Sequence, residues 1–281
     1  MSFEPSDLPG EETFGHVLPG TALRLRAPLP DPDAPHVAVI GGAEVRGRFA
    51  PEPFCDRLAG RLRMPVANLG VQNAGLDVFV QDEAVLDHVA RASASVVQVM
   101  GAHLLSNRFY TVHPRRNDRF LRHSKVLGNL YGDIDFTEFA FVRHMLLDLS
   151  RAAPGKFPLV IRELEAAWVA RMRLMLHRLP GPRVLLWTTG YAPGSCADLG
   201  TEPLFVTRAM VDRVAQMADA VVEVDLSGRY GRDDPLGLDV PPGGEAAAEE
   251  MLGAAGHALV AARLGEALEG LGVGMRTGRA A

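Results

Sequence analysis

From His113 to Lys125 the chain runs HPRRNDRFLRHSK, with four arginines, one lysine and two histidines against one aspartate. Guanidinium forks suit planar or tetrahedral oxyanions. With Pro114 opening a short helix, a position proline tolerates, Arg115, Arg119 and Arg122 share one face and Arg116 lies to one side. Such a stripe can meet a sulfate, phosphate or carboxylate across a cleft, or it can pair with Asp133, Asp135 and Glu138. Both readings stand. Asn107, Arg108 and His113 lead into the stripe as candidate pocket residues, and Tyr110 is a candidate aromatic wall.

A second group of residues lies where apolar runs end in glycine. The segments Gly41 to Gly47, Gly70 to Gly75 and Gly101 to Asn107 all begin this way. Glycine there allows tight turns and close approach of backbone N–H groups to a ligand. Gly42, Ala43, Gly70, Asn73, Gly101 and His103 are therefore candidate ligand contacts. The centre of the first turn, Ala43, is chemically silent. Glu44 beside it could act as a base on water, with His103 or His257 as the acid. The opposing reading pairs Glu44 with Arg46 or Arg48 and packs His257 as an ordinary helix residue.

Other chemistry is weakly signalled. Cys55 falls in an apolar helical stretch, as a buried structural thiol would. Cys196 lies on a glycine-rich loop with nothing adjacent to lower its pKa. There is no His-Glu-x-x-His or Cys-x-x-Cys spacing, no Walker loop and no Gly-x-Gly-x-x-Gly, so neither a metal nor a cofactor is expected.

These residues need a frame. Apolar runs at Val37 to Ile40, Val66 to Leu69, Val96 to Met100, Val184 to Trp187 and Val221 to Val224 have the continuous character of strands covered on both faces. Between them lie helical patterns at Phe54 to Leu62, Asp77 to Ala90, Phe136 to Leu149, Ile161 to Leu179, Phe205 to Met217 and Glu245 to Leu271. The alternation implies an α/β fold, a three-layer α/β/α sandwich on a five-stranded parallel sheet, flavodoxin-like in outline. Ligands bind such sheets outside the strand carboxyl ends, where strand order reverses, which is where the glycine turns fall.

Composition narrows the function. The chain has 281 residues, 47% hydrophobic and 22% charged, with a net charge of −5. That gives no global reason for nucleic-acid or membrane binding, so any anion site is local. The first residues lack a basic segment followed by an apolar one, no run approaches a membrane span, and two cysteines fit a reducing compartment. The cytoplasm is the expected location. Residues 1–35, rich in proline, glycine and acids, are expected as an irregular leader, 36–272 as one domain and 273–281 as a tail. Oligomeric state is left open.

The order GGAEVRG, NLGVQNAG, MGAHLLSN and, near the C-terminus, EEMLGAAGHALVAARL resembles the blocks of the SGNH (GDSL-type) hydrolase superfamily. More narrowly, NLGVQNAGLDVF, NRFYTVHPRRNDRF, DFTEFAFVRH and ELEAAWVARM resemble a bacterial domain-of-unknown-function family, which brings no activity with it. The superfamily resemblance implies a serine triad, and the residues depart from it. The nucleophile falls on Ala43, the histidine on Met251 and the aspartate on Ala248, while Gly70 keeps an oxyanion glycine and His103 takes the place of an asparagine. Shifting the alignment to make His257 the base leaves Ala254 as its acid. The resemblance thus implies a hydrolase-like protein without serine-type esterase activity. Its cleft is expected to hold an anionic or sugar-like small molecule. The rival expectation is an active hydrolase or group transferase using Glu44, His103 or His257, and a third is a protein-interaction module.

Overall fold

The computed structural model describes residues 16–191 and 199–274. Its centre is a five-stranded, wholly parallel sheet of β3 (Val37–Gly41), β4 (Val66–Gly70), β5 (Ala94–Gln98), β8 (Arg183–Thr189) and β9 (Ala220–Asp225), in the order β4-β3-β5-β8-β9. All five expected strands are present. The chain leaves β3 outward to β4 and then returns across β3 to β5, so the strand order reverses between β3 and β5.

Alternation along the strands separates two cores. Ala38, Ile40, Val97, Leu185 and Trp187 face one side, where α3 (Leu76–Val80), α4 (Glu83–Ala90), α6 (Val142–Ala152), α7 (Phe157–Arg178) and α8 (Arg208–Ala215) pack. Val37, Val39, Val96, Val184 and Leu186 face the other, against α2 (Phe54–Leu62) and α10 (Ala254–Gly270). Successive side chains of a strand point to opposite faces, so apolar residues at every position require helices on both. The result is a three-layer α/β/α sandwich. Helix α7 lies against the first face along Val160, Leu164, Trp168, Met172 and Met175, and the Trp168 indole Nε1 donates to the Met100 carbonyl at 2.8 Å, anchoring the chain just past β5.

Several helical patterns are interrupted where a cap intervenes. The Asp82 side chain accepts from the Val85 N–H at 3.1 Å and starts α4 afresh after α3. The segment after Phe136 is a short 3-10 turn followed by α6, and the C-terminal pattern divides into α9 (Glu245–Ala248) and α10. The leader is not wholly irregular: β1 (His16–Val17) pairs antiparallel with β2 (Arg24–Leu25). The Arg26 guanidinium is buried and donates to the carbonyls of Gly47 and Ala50, so this segment is tied to the turn after β3. No helix among the described residues is long and apolar enough to cross a membrane.

The largest departure is at the arginine-rich stretch. Instead of a helix it is a hairpin of β6 (Tyr110–His113) and β7 (Arg116–His123), followed by a short α5 (Lys125–Leu130). The His113 Nδ1 accepts the N–H groups of both Arg115 and Arg116, each at 3.2 Å, which closes the turn. Arg115 lies in the turn before β7, and on a strand residues three apart, such as Arg119 and Arg122, point to opposite faces. Arg115, Arg119 and Arg122 therefore form no stripe.

Candidate functional site

A cleft of about 460 Å³ opens at the carboxyl ends of β3, β5 and β8, at the reversal point. One wall is the turn from β3 into α1 (Ala43–Arg46). This turn demands glycine at its start, because a Cβ on Gly41 would lie 2.3 Å from Val45 Cγ2 and 2.4 Å from Gln98 Oε1. Gln98, the last residue of β5, clamps the turn from across the sheet. Its Oε1 accepts the Gly42 N–H at 2.8 Å and its Nε2 donates to Glu44 Oε2 at 2.8 Å. The other oxygen of Glu44 accepts from the Tyr230 hydroxyl at 3.1 Å. Burial and the Glu44 charge hold that hydroxyl well above the usual tyrosine range, so it remains a donor.

Tyr230 in turn stacks on Tyr191, with ring centroids 4.0 Å apart, and the Tyr191 hydroxyl donates to Glu250. Across the cleft, Arg143 near the start of α6 pairs with Glu202, whose second oxygen accepts from the Leu204 N–H at 2.7 Å. Burial raises the Glu202 carboxyl above its ordinary range, against the pull of Arg143. His103 is buried in the wall, and burial together with the Arg143 charge pushes its imidazole well below the usual range, so it is neutral. Gly101 makes room for that ring: a Cβ there would lie 2.6 Å from His103 Nδ1.

Of the residues expected from the sequence, Gly42, Ala43, Glu44, Asn73, Gly101 and His103 line this cleft, and so does Met251. Ala43 and Met251 thus stand in one cavity with neither a hydroxyl nor an imidazole between them. The others lie elsewhere. Gly70 packs against the turn, where a Cβ on it would lie 2.2 Å from the Arg46 backbone nitrogen, and its N–H donates to Asn68 Oδ1 at 3.0 Å, so it offers nothing to an oxyanion. His257 is buried behind the turn, where its Nδ1 accepts the Phe54 N–H at 3.2 Å; burial lowers it to about 3. It is a packed helix residue.

The basic stretch is corrected in the same way. Arg116 pairs with Asp118, Arg119 lies over the Phe141 ring with its Cζ 4.2 Å from the centroid, and Arg115 is exposed at the hairpin turn. None of the three lines the cleft; the lone acid of the stretch, Asp118, does. Asn107 folds its own loop, its Oδ1 accepting the N–H groups of Phe109 and Tyr110. Arg108 pairs with Glu163 on α7, beside a different groove. His113 closes the hairpin. Tyr110 is no wall: it is buried, and its hydroxyl donates to the His103 carbonyl at 2.8 Å, holding that residue from behind. Cys55 is a buried free thiol raised by burial, and Cys196 lies outside the described residues.

Sequence reasoning missed Gln98, Asp118, Phe141, Arg143, Tyr191, Glu202, Tyr230 and Glu250, all of which line the cleft. Gln98 carried a signal, as the polar end of an otherwise apolar strand. Among the described residues no group of three or more His, Cys, Asp or Glu side chains is arranged to hold a metal ion.

A family model described as a domain of unknown function, DUF6473, matches residues 1–272. No curated protein matches. Among solved structures, the chain is similar to one titled "Salicylyl-Acyltransferase SsfX3 from a Tetracycline Biosynthetic Pathway", at 14% identity and a TM-score of 0.35. That match covers 85% of this chain and 56% of the other, so the chain spans little more than half the length of the protein it matches.

Proposed function

We propose that this chain, which belongs to the DUF6473 family, binds a neutral, polyhydroxylated, sugar-like small molecule in the cleft at the strand carboxyl ends and does no serine-type hydrolysis there. One observation carries the reading. Four of the residues that line the cleft each carry a buried side-chain atom with no hydrogen-bond partner: Gln72 Oε1, His103 Nδ1, Asp118 Oδ1 and Arg143 Nη1. Buried polar groups are almost always paired, and this set mixes acceptors with a donor. Hydroxyl groups both donate and accept, so a polyol meets all four.

Charge favours a neutral ligand over an anion. Glu44, Asp118, Glu202 and Glu250 line the cleft, and Arg143, already paired with Glu202, is the one lysine or arginine among the lining residues. The SGNH-like reading, with the triad lost, is supported by Ala43 and Met251 meeting in the cleft. Two cysteines, one of them a buried free thiol, support a reducing location, the cytoplasm.

A second reading has its own observation. The Glu44 carboxylate, beside Ala43 and held by two donors, is placed to act as a base on water in a direct hydrolysis or group transfer. Exposed Arg115 and Arg122 on the hairpin support a third, a protein-docking edge.

A thermal-shift panel of neutral pyranosides, oligosaccharides and polyols, with sulfate and phosphate as contrast, separates these. A ligand at 100 times its dissociation constant adds about 2.7 kcal/mol, which moves the midpoint of a protein this size by about 5–10 °C. Neutral sugars should give the shift, and His103→Leu should abolish it. A response to the anions alone, or none to any neutral compound, overturns the proposal. Release of product from a shifting compound, lost in Glu44→Gln, establishes the second reading.

A further inference from the structure

We infer that Phe141 is a stacking platform in this cleft, so that its ligand is a closed pyranose ring offering a flat C–H face rather than an open-chain polyol. The inference rests on the proposed polyhydroxylated ligand and adds the shape that ligand must have.

Three phenyl or phenol rings line the cleft, and two of them, Tyr191 and Tyr230, cover each other. Phe141 is different. It is 42% exposed, an unusual state for a phenylalanine beside buried chain, and the Arg119 guanidinium covers one side of its ring at 4.2 Å. Phe141 lines the cleft, whereas the Arg119 that covers its ring does not. Exposed apolar surface in a polar cavity is costly unless something covers it.

The ring is also held in place. Phe141 bridges Arg119 of β7 in antiparallel fashion, Phe120 N–H donates to the Ala140 carbonyl at 3.1 Å, and the Phe141 carbonyl accepts the Met145 N–H at 3.1 Å as α6 begins. A hairpin on one side and a helix start on the other thus fix its backbone. A platform fixed before binding loses little entropy when a ligand stacks on it.

Its surroundings suit a sugar ring. Arg143, two residues along the chain, and Asp118, which precedes the covering Arg119, carry two of the four partnerless atoms. A pyranose with equatorial hydroxyls sends its polar groups sideways and keeps axial C–H groups on its faces. Laid on Phe141, it buries the C–H face while its rim meets donor and acceptor. An open chain carries as many hydroxyls but no face.

The test compares methyl β-D-glucopyranoside with sorbitol, by thermal shift and by ligand-observed NMR, on the wild type, Phe141→Trp, Phe141→Leu and Phe141→Ala. Wild type and Phe141→Trp should prefer the pyranoside. Phe141→Leu, which keeps apolar bulk without a flat face, and Phe141→Ala should each lose about tenfold in pyranoside affinity, ~1.4 kcal/mol, with sorbitol unchanged. Equal responses to the two compounds in the wild type, or an undiminished preference in Phe141→Leu, overturn the platform and leave polyol binding standing. Silence toward both compounds overturns both readings.

Discussion

At position 43 a single methyl group lies where the turn after β3 meets the cleft, and the residues around it decide what a hydroxyl there would do. Ala43→Ser would open onto a cleft in which the expected histidine position holds Met251, which can take no proton, and the Gly42 N–H beside it is already given to Gln98. We expect Ala43→Ser to show no hydrolysis of p-nitrophenyl acetate above the wild-type rate and no acetylated serine by mass spectrometry; a stable acyl adduct would contradict this. The residues that speak of chemistry in the sequence did so through type and position. Glu44 and His103 follow strand ends directly, and both reach the cleft. Glu202 and Tyr230 lie in loops away from any motif, and only the three-dimensional path of the chain brings them in; Glu250 stands in a quoted motif, beside Met251, and drew no notice because it fills none of that motif's catalytic positions. The arginines misled for the opposite reason: their density suggested a site, whereas guanidinium groups also serve to cover rings and close ion pairs, as Arg119 and Arg116 do.

Among elements, the β6–β7 hairpin lends Asp118 to the cleft without joining the central sheet. It is pinned by Asn117, fully buried, whose Oδ1 accepts the Gly75 N–H at 2.8 Å and whose Nδ2 donates to the His113 carbonyl at 2.9 Å, while its own N–H donates to the Asn73 carbonyl. One asparagine therefore joins the hairpin to the loop after β4. Leaving buried partners unsatisfied costs about 1–3 kcal/mol each. Asn117→Ala should lower unfolding stability in urea by about 2–4 kcal/mol; a change below ~0.5 kcal/mol would show that the pin is dispensable. Four of the five sheet strands were legible because burial on both faces makes them mostly apolar, while β9, with Val222 and Val224 buried and Glu223 and Asp225 exposed, is covered on one face only and was legible from its valines. β7, RNDRFLRH, was not, since its charged residues obey no alternation and its fold comes from the His113 turn and the pairing of Phe120 with Ala140.

For the molecule as a whole, two buried imidazoles make stability depend on acid. His257 titrates near 3 in the folded protein, lowered by burial, and near 6.5 when unfolded. Between those values the unfolded chain binds the extra proton. The stabilisation is complete above about pH 6.5 and is lost toward pH 3 at about 1.4 kcal/mol per pH unit. His103 acts in the same direction, while buried carboxyls raised above their usual range, such as Asp77 and Glu202, oppose it. A difference measurement isolates the one group. From pH 6.5 to 5 the wild type should lose about 2 kcal/mol more than His257→Gln in urea unfolding, and parallel losses would mean the imidazole is charged in the folded state.

The clamp made by Gln98 also has a bearing on redesign. Substitution can place a serine at position 43 or a histidine at position 251, one residue at a time. The amides of Gly42 and Gly70 are not released by such changes, because each is engaged by a neighbouring side chain, Gln98 or Asn68, that also donates to a second partner in the turn. Building a serine hydrolase on this scaffold would mean freeing these amides as well, and each replacement that frees one also removes a bond that holds the turn.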